Sequence, residues 1–100
     1  MGKYSVLTLP IAEQDIHGAT LYLAEQEPAA ALAFLEGLEE IEEQLSDYPA
    51  SGAPVQDKIY AQKGYRFKVV SRYYVFYTFR DDVVWIARVI HSRRDYTKLL

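Results

Sequence analysis

One hundred residues, half of them apolar or aromatic, give room for a single domain over residues 1–100 and exclude a second one. No run approaches the roughly 18 consecutive apolar residues that span a bilayer, the N-terminal segment lacks the order of a secretory signal, and the absence of cysteine excludes disulfides and thiolate sites, so a cytosolic domain held by packing alone is expected. The net charge of −3 conceals a sorting by position: residues 1–57 sum to −10 with Lys3 as their one base, and residues 58–100 sum to +7.

Lys3 to Leu9 alternates Tyr4, Val6 and Thr8 with Ser5, Leu7 and Leu9 before Pro10, which predicts a strand leading into a helix. From Ala12, the positions Ala12, Ile16, Ala19 and Leu23 line one face of a helix that runs to about Gln26. Pro28 suits the first turn of a second helix, in which Ala31, Phe34, Leu38, Ile41 and Leu45 keep the same rhythm. The opposite face carries Glu36, Glu39, Glu40, Glu42 and Glu43 and reads as a solvated surface. Tyr48 to Gly64, punctuated by Pro49, Gly52 and Pro54, reads as a long loop between the two charge regimes.

Three strand-like runs follow: Tyr65 to Val70, Arg72 to Arg80 and Val83 to Ile90. Ser71-Arg72 and Asp81-Asp82 leave room only for tight reversals, so the three should form an antiparallel meander. In the first run Tyr65, Phe67 and Val69 point one way and Arg66, Lys68 and Val70 the other. In the second, Tyr73, Val75, Tyr77 and Phe79 oppose Arg72, Tyr74, Phe76, Thr78 and Arg80. One sheet face is therefore expected on the helices, and the other is expected to show cations between aromatic rings. Trp85, alternating with Val83 and Ala87, reads as core, and Asp81-Asp82 as turn chemistry. The order β-α-α-β-β-β predicts an α+β fold in which two N-terminal helices pack on a twisted, mostly antiparallel four-stranded sheet. No GxGxxG, P-loop, HExxH or zinc spacing is present, so no cofactor or metal is expected.

Several short pieces stand in a definite order: Tyr4-Ser5-Val6, then Pro10, Ala12 and Asp15, Tyr22-Leu23-Ala24, Ala30-Ala31 with Phe34 and Leu38, and Pro49 with Gly52. Gly64-Tyr65-Arg66, Tyr74-Val75-Phe76-Tyr77 and the ending His91-Ser92-Arg93-Arg94-Asp95-Tyr96 with Leu99-Leu100 complete the series. In that order and spacing the chain resembles the RelE/ParE superfamily of bacterial type II toxins over nearly its whole length. The resemblance implies a growth-arresting toxin held inactive by a cognate antitoxin. Members divide into ribosome-dependent mRNA endonucleases and, in the ParE branch, inhibitors of DNA gyrase.

A nuclease member would cut RNA through the RNA's own 2′-hydroxyl, which needs a proton acceptor, fixed positive charge at the phosphate and no metal. The resemblance then implies Tyr96 as the base, Arg66 and Arg94 at the reacting phosphate, and Lys58, Lys63, Lys68, Arg72 and Arg93 as RNA contacts. A phenol has an ordinary pKa of about 10, so Tyr96 requires cations beside it, and Arg66, Arg93 and Arg94 are the available ones. His91 is read as a cap on the sheet edge and His17 as a surface residue. In the gyrase reading the same cations form a surface for a protein or DNA partner, with no proton transfer. The His91 to Asp95 ending favours that branch, and the cation-rich stretch Lys58 to Lys68 favours the nuclease branch, which we take as the first expectation. In a third reading the basic face only offsets the helix acids or docks the antitoxin, whose binding segment is expected to be acidic. The expected partners are thus the antitoxin with ribosome and mRNA, or with DNA gyrase, and no membrane. All of this requires Arg66, Lys68, Arg94 and Tyr96 to converge on one side of the domain.

Overall fold

Proline opens both long helices in the computed structural model, which describes residues 3–100. α1 spans Pro10–Gln26 and α2 spans Pro28–Asp47. Between them stands Glu27, extended at φ −162° and ψ 123°. A residue before proline is pushed out of the helical region, so Pro28 ends one helix at the position where it starts the next. The apolar faces are those the spacing predicts. Ala12 and Ala19 are buried with Ile16 and Leu23 packed against them, and Ala31, Phe34, Leu38, Ile41 and Leu45 are all buried.

The strands are β1 (Ser5–Thr8), β2 (Ala53–Pro54), β3 (Arg66–Val70), β4 (Tyr73–Arg80) and β5 (Val83–His91), in spatial order β1-β5-β4-β3-β2. β1 runs parallel to β5 and the other pairs are antiparallel. The fold is α+β as expected, with five strands instead of four. The extra one comes from the segment read as a loop. There, a 3₁₀ turn over Pro49–Ser51 leads into β2, and a short helix α3 (Lys58–Gln62) follows, its first turn closed by the Asp57 carboxylate accepting the Tyr60 amide at 3.1 Å. Elements of two to five residues are too short to show a period, which is why the sequence conceals them.

The meander turns lie where expected. Asp81 and Asp82 both take positive φ, at 51° and 64°, as a two-residue hairpin that follows the twist of its strands requires. Aspartate adopts that conformation at some cost, so Asp82→Gly is expected to stabilise the domain by about 0.5 kcal/mol, read as a rise in melting temperature. An unchanged or lower melting temperature would contradict the strain assigned to this turn.

The expected open face of cations between aromatic rings is corrected by the register. Arg66 pairs with Tyr77, Lys68 with Val75 and Val70 with Tyr73, so the β3 cations share the face that carries the helices. Phe67 pairs with Phe76 and Val69 with Tyr74, which places the aromatic residues on the other face. That face holds a second, smaller core around Val55, Phe76 and Ile90, roofed by Tyr60 and Ala61 of α3 and by Tyr96, Leu99 and Leu100. Alternation sorts residues between faces but says nothing of what covers each one. Trp85 is also corrected. It is 38% exposed, because Val84 and Ile86 take the helix side and the second layer does not reach it.

Candidate functional site

β5 ends at His91, and the chain turns back through a 3₁₀ turn, Tyr96–Lys98, across the second face. His91 shapes this reversal: its Nδ1 accepts the Arg93 amide at 3.1 Å and its ring meets Tyr73 edge-on at 5.2 Å. Asp95 caps the turn by accepting the Thr97 hydroxyl at 2.6 Å and the Thr97 amide at 3.0 Å. These bonds, the hydroxyl's first, hold the Asp95 carboxyl below its usual pKa.

Tyr96 fastens the tail to the second face. Its ring lies 4.9 Å from that of Phe76, and its hydroxyl accepts the Asp57 amide at 2.9 Å. Beside it opens a cavity of about 130 Å³ lined by Val55, Gln56, Phe67, Tyr74, Phe76 and Tyr96, none of them charged. Lys58 opens α3 and Lys63 follows its last residue, both exposed on the same side, and the Lys63 amine sits 5.3 Å from the centre of the Tyr60 ring. Neither lysine lines the cavity.

Arg66 stands on the opposite face. Its guanidinium donates to the Gly52 carbonyl at 2.7 Å and to the Ala50 carbonyl at 3.2 Å. Next to it the Tyr77 hydroxyl donates to the Pro49 carbonyl at 2.6 Å and accepts the Gly52 amide at 2.9 Å. Burial pushes the Tyr77 phenol above its ordinary pKa, opposed by the Gly52 amide and the Arg66 charge. Together Arg66 and Tyr77 staple the 3₁₀ turn to the sheet. Since Arg66 pairs with Tyr77 while Tyr96 packs on Phe76, consecutive β4 residues point toward these two groups from opposite sides, and the sheet lies between them. Lys68 is on the Arg66 side and half-buried.

The remaining cations collect elsewhere. A groove of about 430 Å³ between α1 and β5 has Arg94 at its rim, and an adjoining one of about 550 Å³ has Arg72 and Arg93. Tyr22, Tyr73 and His91 line both, so they form one continuous furrow. The structure thus brings Arg72, Arg93 and Arg94 together, and leaves Arg66 with Lys68, and Tyr96 with Lys58 and Lys63, in two other places. The single anion seat expected from the sequence does not form.

A polar cluster that the sequence does not announce joins α1 to β5. Arg88 donates through Nε to Asp15 Oδ2 at 2.8 Å and through Nη2 to Oδ1 at 3.0 Å, and through Nη1 to the Leu99 carbonyl at 2.7 Å. Asp15 Oδ2 also accepts the Val89 amide at 3.0 Å, on the stretch of β5 that extends past the end of β1. The bond to Asp15 raises the Arg88 pKa against a smaller opposing effect of burial. The partners are far apart in sequence, and Arg88 lies opposite Phe76, beside the register slip between Phe76 and Tyr77. Among the described residues no group of three or more His, Cys, Asp or Glu could hold a metal ion, and no helix is long and apolar enough to cross a membrane.

The family described as ParE toxin of type II toxin-antitoxin system, parDE, matches residues 6–96. A solved structure described as the chromosomal ParDE TA system from P. aeruginosa contains a similar chain, with a TM-score of 0.69 and 16% identity, covering 89% of this chain and 96% of that one. At that identity the likeness is one of fold. No curated protein matches. With the family pattern running from the first strand into the C-terminal turn, over a fold of the same build, this chain belongs to the ParE toxin family of type II toxin-antitoxin systems.

Proposed function

We propose that the toxin arrests growth in the cytoplasm by binding DNA gyrase as a protein ligand, without cutting RNA, and that its antitoxin blocks this by occupying the toxin's surface. The supporting observation is the separation of Tyr96 from Arg66. RNA cleavage needs the base and the phosphate-stabilising cations around one reacting atom, within hydrogen-bond reach. Here the two are divided by the sheet, their polar heads are engaged by backbone groups, and the cavity beside Tyr96 has no cation in its wall. This reverses the preference for mRNA cleavage that the stretch Lys58 to Lys68 suggests. Those cations face different ways once the chain is folded.

Purified toxin added to gyrase and supercoiled plasmid with ATP is expected to accumulate cleaved DNA complexes, while mRNA ends mapped after induction remain as in uninduced cells. Tyr96→Phe keeps the ring packing and is expected to change growth arrest by no more than about twofold, since no proton passes through the phenol. Codon-linked mRNA cuts that vanish in Tyr96→Phe, with no gyrase-linked DNA breaks, would overturn the reading.

A further inference from the structure

The cavity beside Tyr96 is a hollow that the fold holds open. Its floor is the buried Phe76, with the Tyr96 ring tilted 32° to it at 4.9 Å and the Tyr74 ring edge-on to it at 5.9 Å. Phe67 completes the Tyr74 side, 5.0 Å from that ring and 6.2 Å from Phe76. Among the described residues Tyr96 makes no ring contact with Phe67 or Tyr74, so the gap lies between them, over Phe76. An apolar hollow ordinarily shrinks as its walls relax, because unfilled space forfeits contacts. Here the walls are tied. The Tyr96 hydroxyl accepts the Asp57 amide, the Tyr60 hydroxyl shares its proton between the Thr97 and Leu100 carbonyls at 3.2 Å and 3.0 Å, and Arg88 holds the Leu99 carbonyl. Val55 is fixed in turn by its amide, which donates to the Tyr65 carbonyl at 3.2 Å.

Size and wall chemistry limit what fits. The volume of about 130 Å³ is close to that of a cavity of roughly 150 Å³ that takes one benzene, so one ring, or a fused pair reaching into the mouth, is the largest occupant. Four aromatic rings favour a flat π surface that can stack on one and meet the edge of another. Rings also attract cations, but no carboxylate lines the cavity, that of the neighbouring Asp57 is engaged by the Tyr60 amide, and the exposed Lys58 and Lys63 repel positive charge from the same side. An anion would lose its water to a wall without a cation. Two polar groups remain for a ligand. The Gln56 side-chain amide and the Tyr74 hydroxyl have no hydrogen-bond partner among the described residues, and the exposed Gln56 stands at the mouth.

We propose that this cavity is a binding site for a neutral planar aromatic molecule of one ring or two fused rings, seated between Tyr96 and the Phe67–Tyr74 pair with its one polar group bonded to Gln56. The site is independent of gyrase as the target. The test titrates the full chain with indole and, in parallel, with toluene, which has the ring but no polar group. Indole is expected to half-saturate at about 1 mM or below, as suits a ligand of so few atoms. It should move the amides of residues 55–57, 74, 76 and 96 and leave those of Gly18, Tyr22 and Arg94 in the furrow unmoved. At about 5 mM it should raise the melting temperature by about 3 °C or more. Gln56→Ala is expected to weaken indole by about three- to tenfold and toluene by less than about twofold. Tyr74→Ala, which takes down one wall, should weaken both by at least about tenfold. The proposal is overturned if indole shows no saturable shifts up to about 5 mM, a range that covers ligands of this size. It is equally overturned if the shifts fall in the furrow, if Gln56→Ala leaves indole binding unchanged, or if tetramethylammonium or 5′-AMP displaces indole, which would mark a cation or nucleotide seat.

Discussion

Asp15→Ala is expected to lower the stability of the domain by about 3–5 kcal/mol, a large share of the roughly 5–15 kcal/mol that holds a domain of this size together. The carboxylate and the Arg88 guanidinium are only 16% and 14% exposed, so removing one leaves the other as an uncompensated charge with little access to water. The Val89 amide loses its acceptor in the same step, adding about 1 kcal/mol or more for an unpaired donor. Thermal unfolding followed by circular dichroism should show a fall of well over about 10 °C. The cost arises from isolation of the charge, not from the absence of an ion pair. Asp15→Leu combined with Arg88→Met should therefore recover much of the loss, because two apolar side chains of similar size leave no charge to desolvate. A single variant that melts within a few degrees of the native chain would mean that water reaches the pair.

Gly52→Ala is expected to cost about 3 kcal/mol, although an alanine seldom harms a turn. The backbone there is ordinary extended chain at φ −76° and ψ 160°, so the requirement is one of space. A β-carbon would come within 2.5 Å of the Tyr77 hydroxyl, 2.8 Å of its ring and 2.7 Å of the Phe67 carbonyl. The ring is locked in the core and the carbonyl belongs to the sheet, so neither can yield cheaply. The turn must lift, and the bonds from the Gly52 amide to Tyr77 and from Arg66 to the Gly52 carbonyl go with it. Urea denaturation should show the midpoint shift with an unchanged slope, and a shift below about 1 kcal/mol would contradict the close approach. Placing the change in a Tyr77→Phe background removes one of the three close contacts and one of the bonds at stake, so the combined cost should be less than the sum of the two.

The helices were legible because each repeats its signal several times: five buried positions in α2 keep one rhythm, and Pro10 and Pro28 mark where each helix begins. The meander was legible because alternation sustained over β4 and β5 has few other interpretations. What the sequence hid was local and short. β2 and α3 carry no period, and with them went the roof over Phe76 and Ile90, so a buried face was read as an open one. The candidate site suffered in the same way. Arg66 and Tyr96 are both polar residues in a basic half of the chain, and nothing in their spacing tells that one caps a turn while the other roofs the opposite face. The furrow was half visible. Arg93 and Arg94 stood out in the C-terminal motif, but Arg72 belongs to the β3–β4 turn and Tyr22 to α1, and only the folded chain sets them side by side.

β1 lies against β5, so the first strand of the domain waits for the last one to be made. During translation α1 and α2 can pair as soon as they emerge, and β3 and β4 soon after, but the strand that both β1 and β4 flank is still inside the ribosome. A partly synthesised chain therefore has helices over only part of their floor, and its arginine-rimmed furrow does not exist until β5 is released. Growth arrest by this toxin should accordingly begin only with completed chains, which gives an antitoxin translated beside it a natural interval in which to arrive.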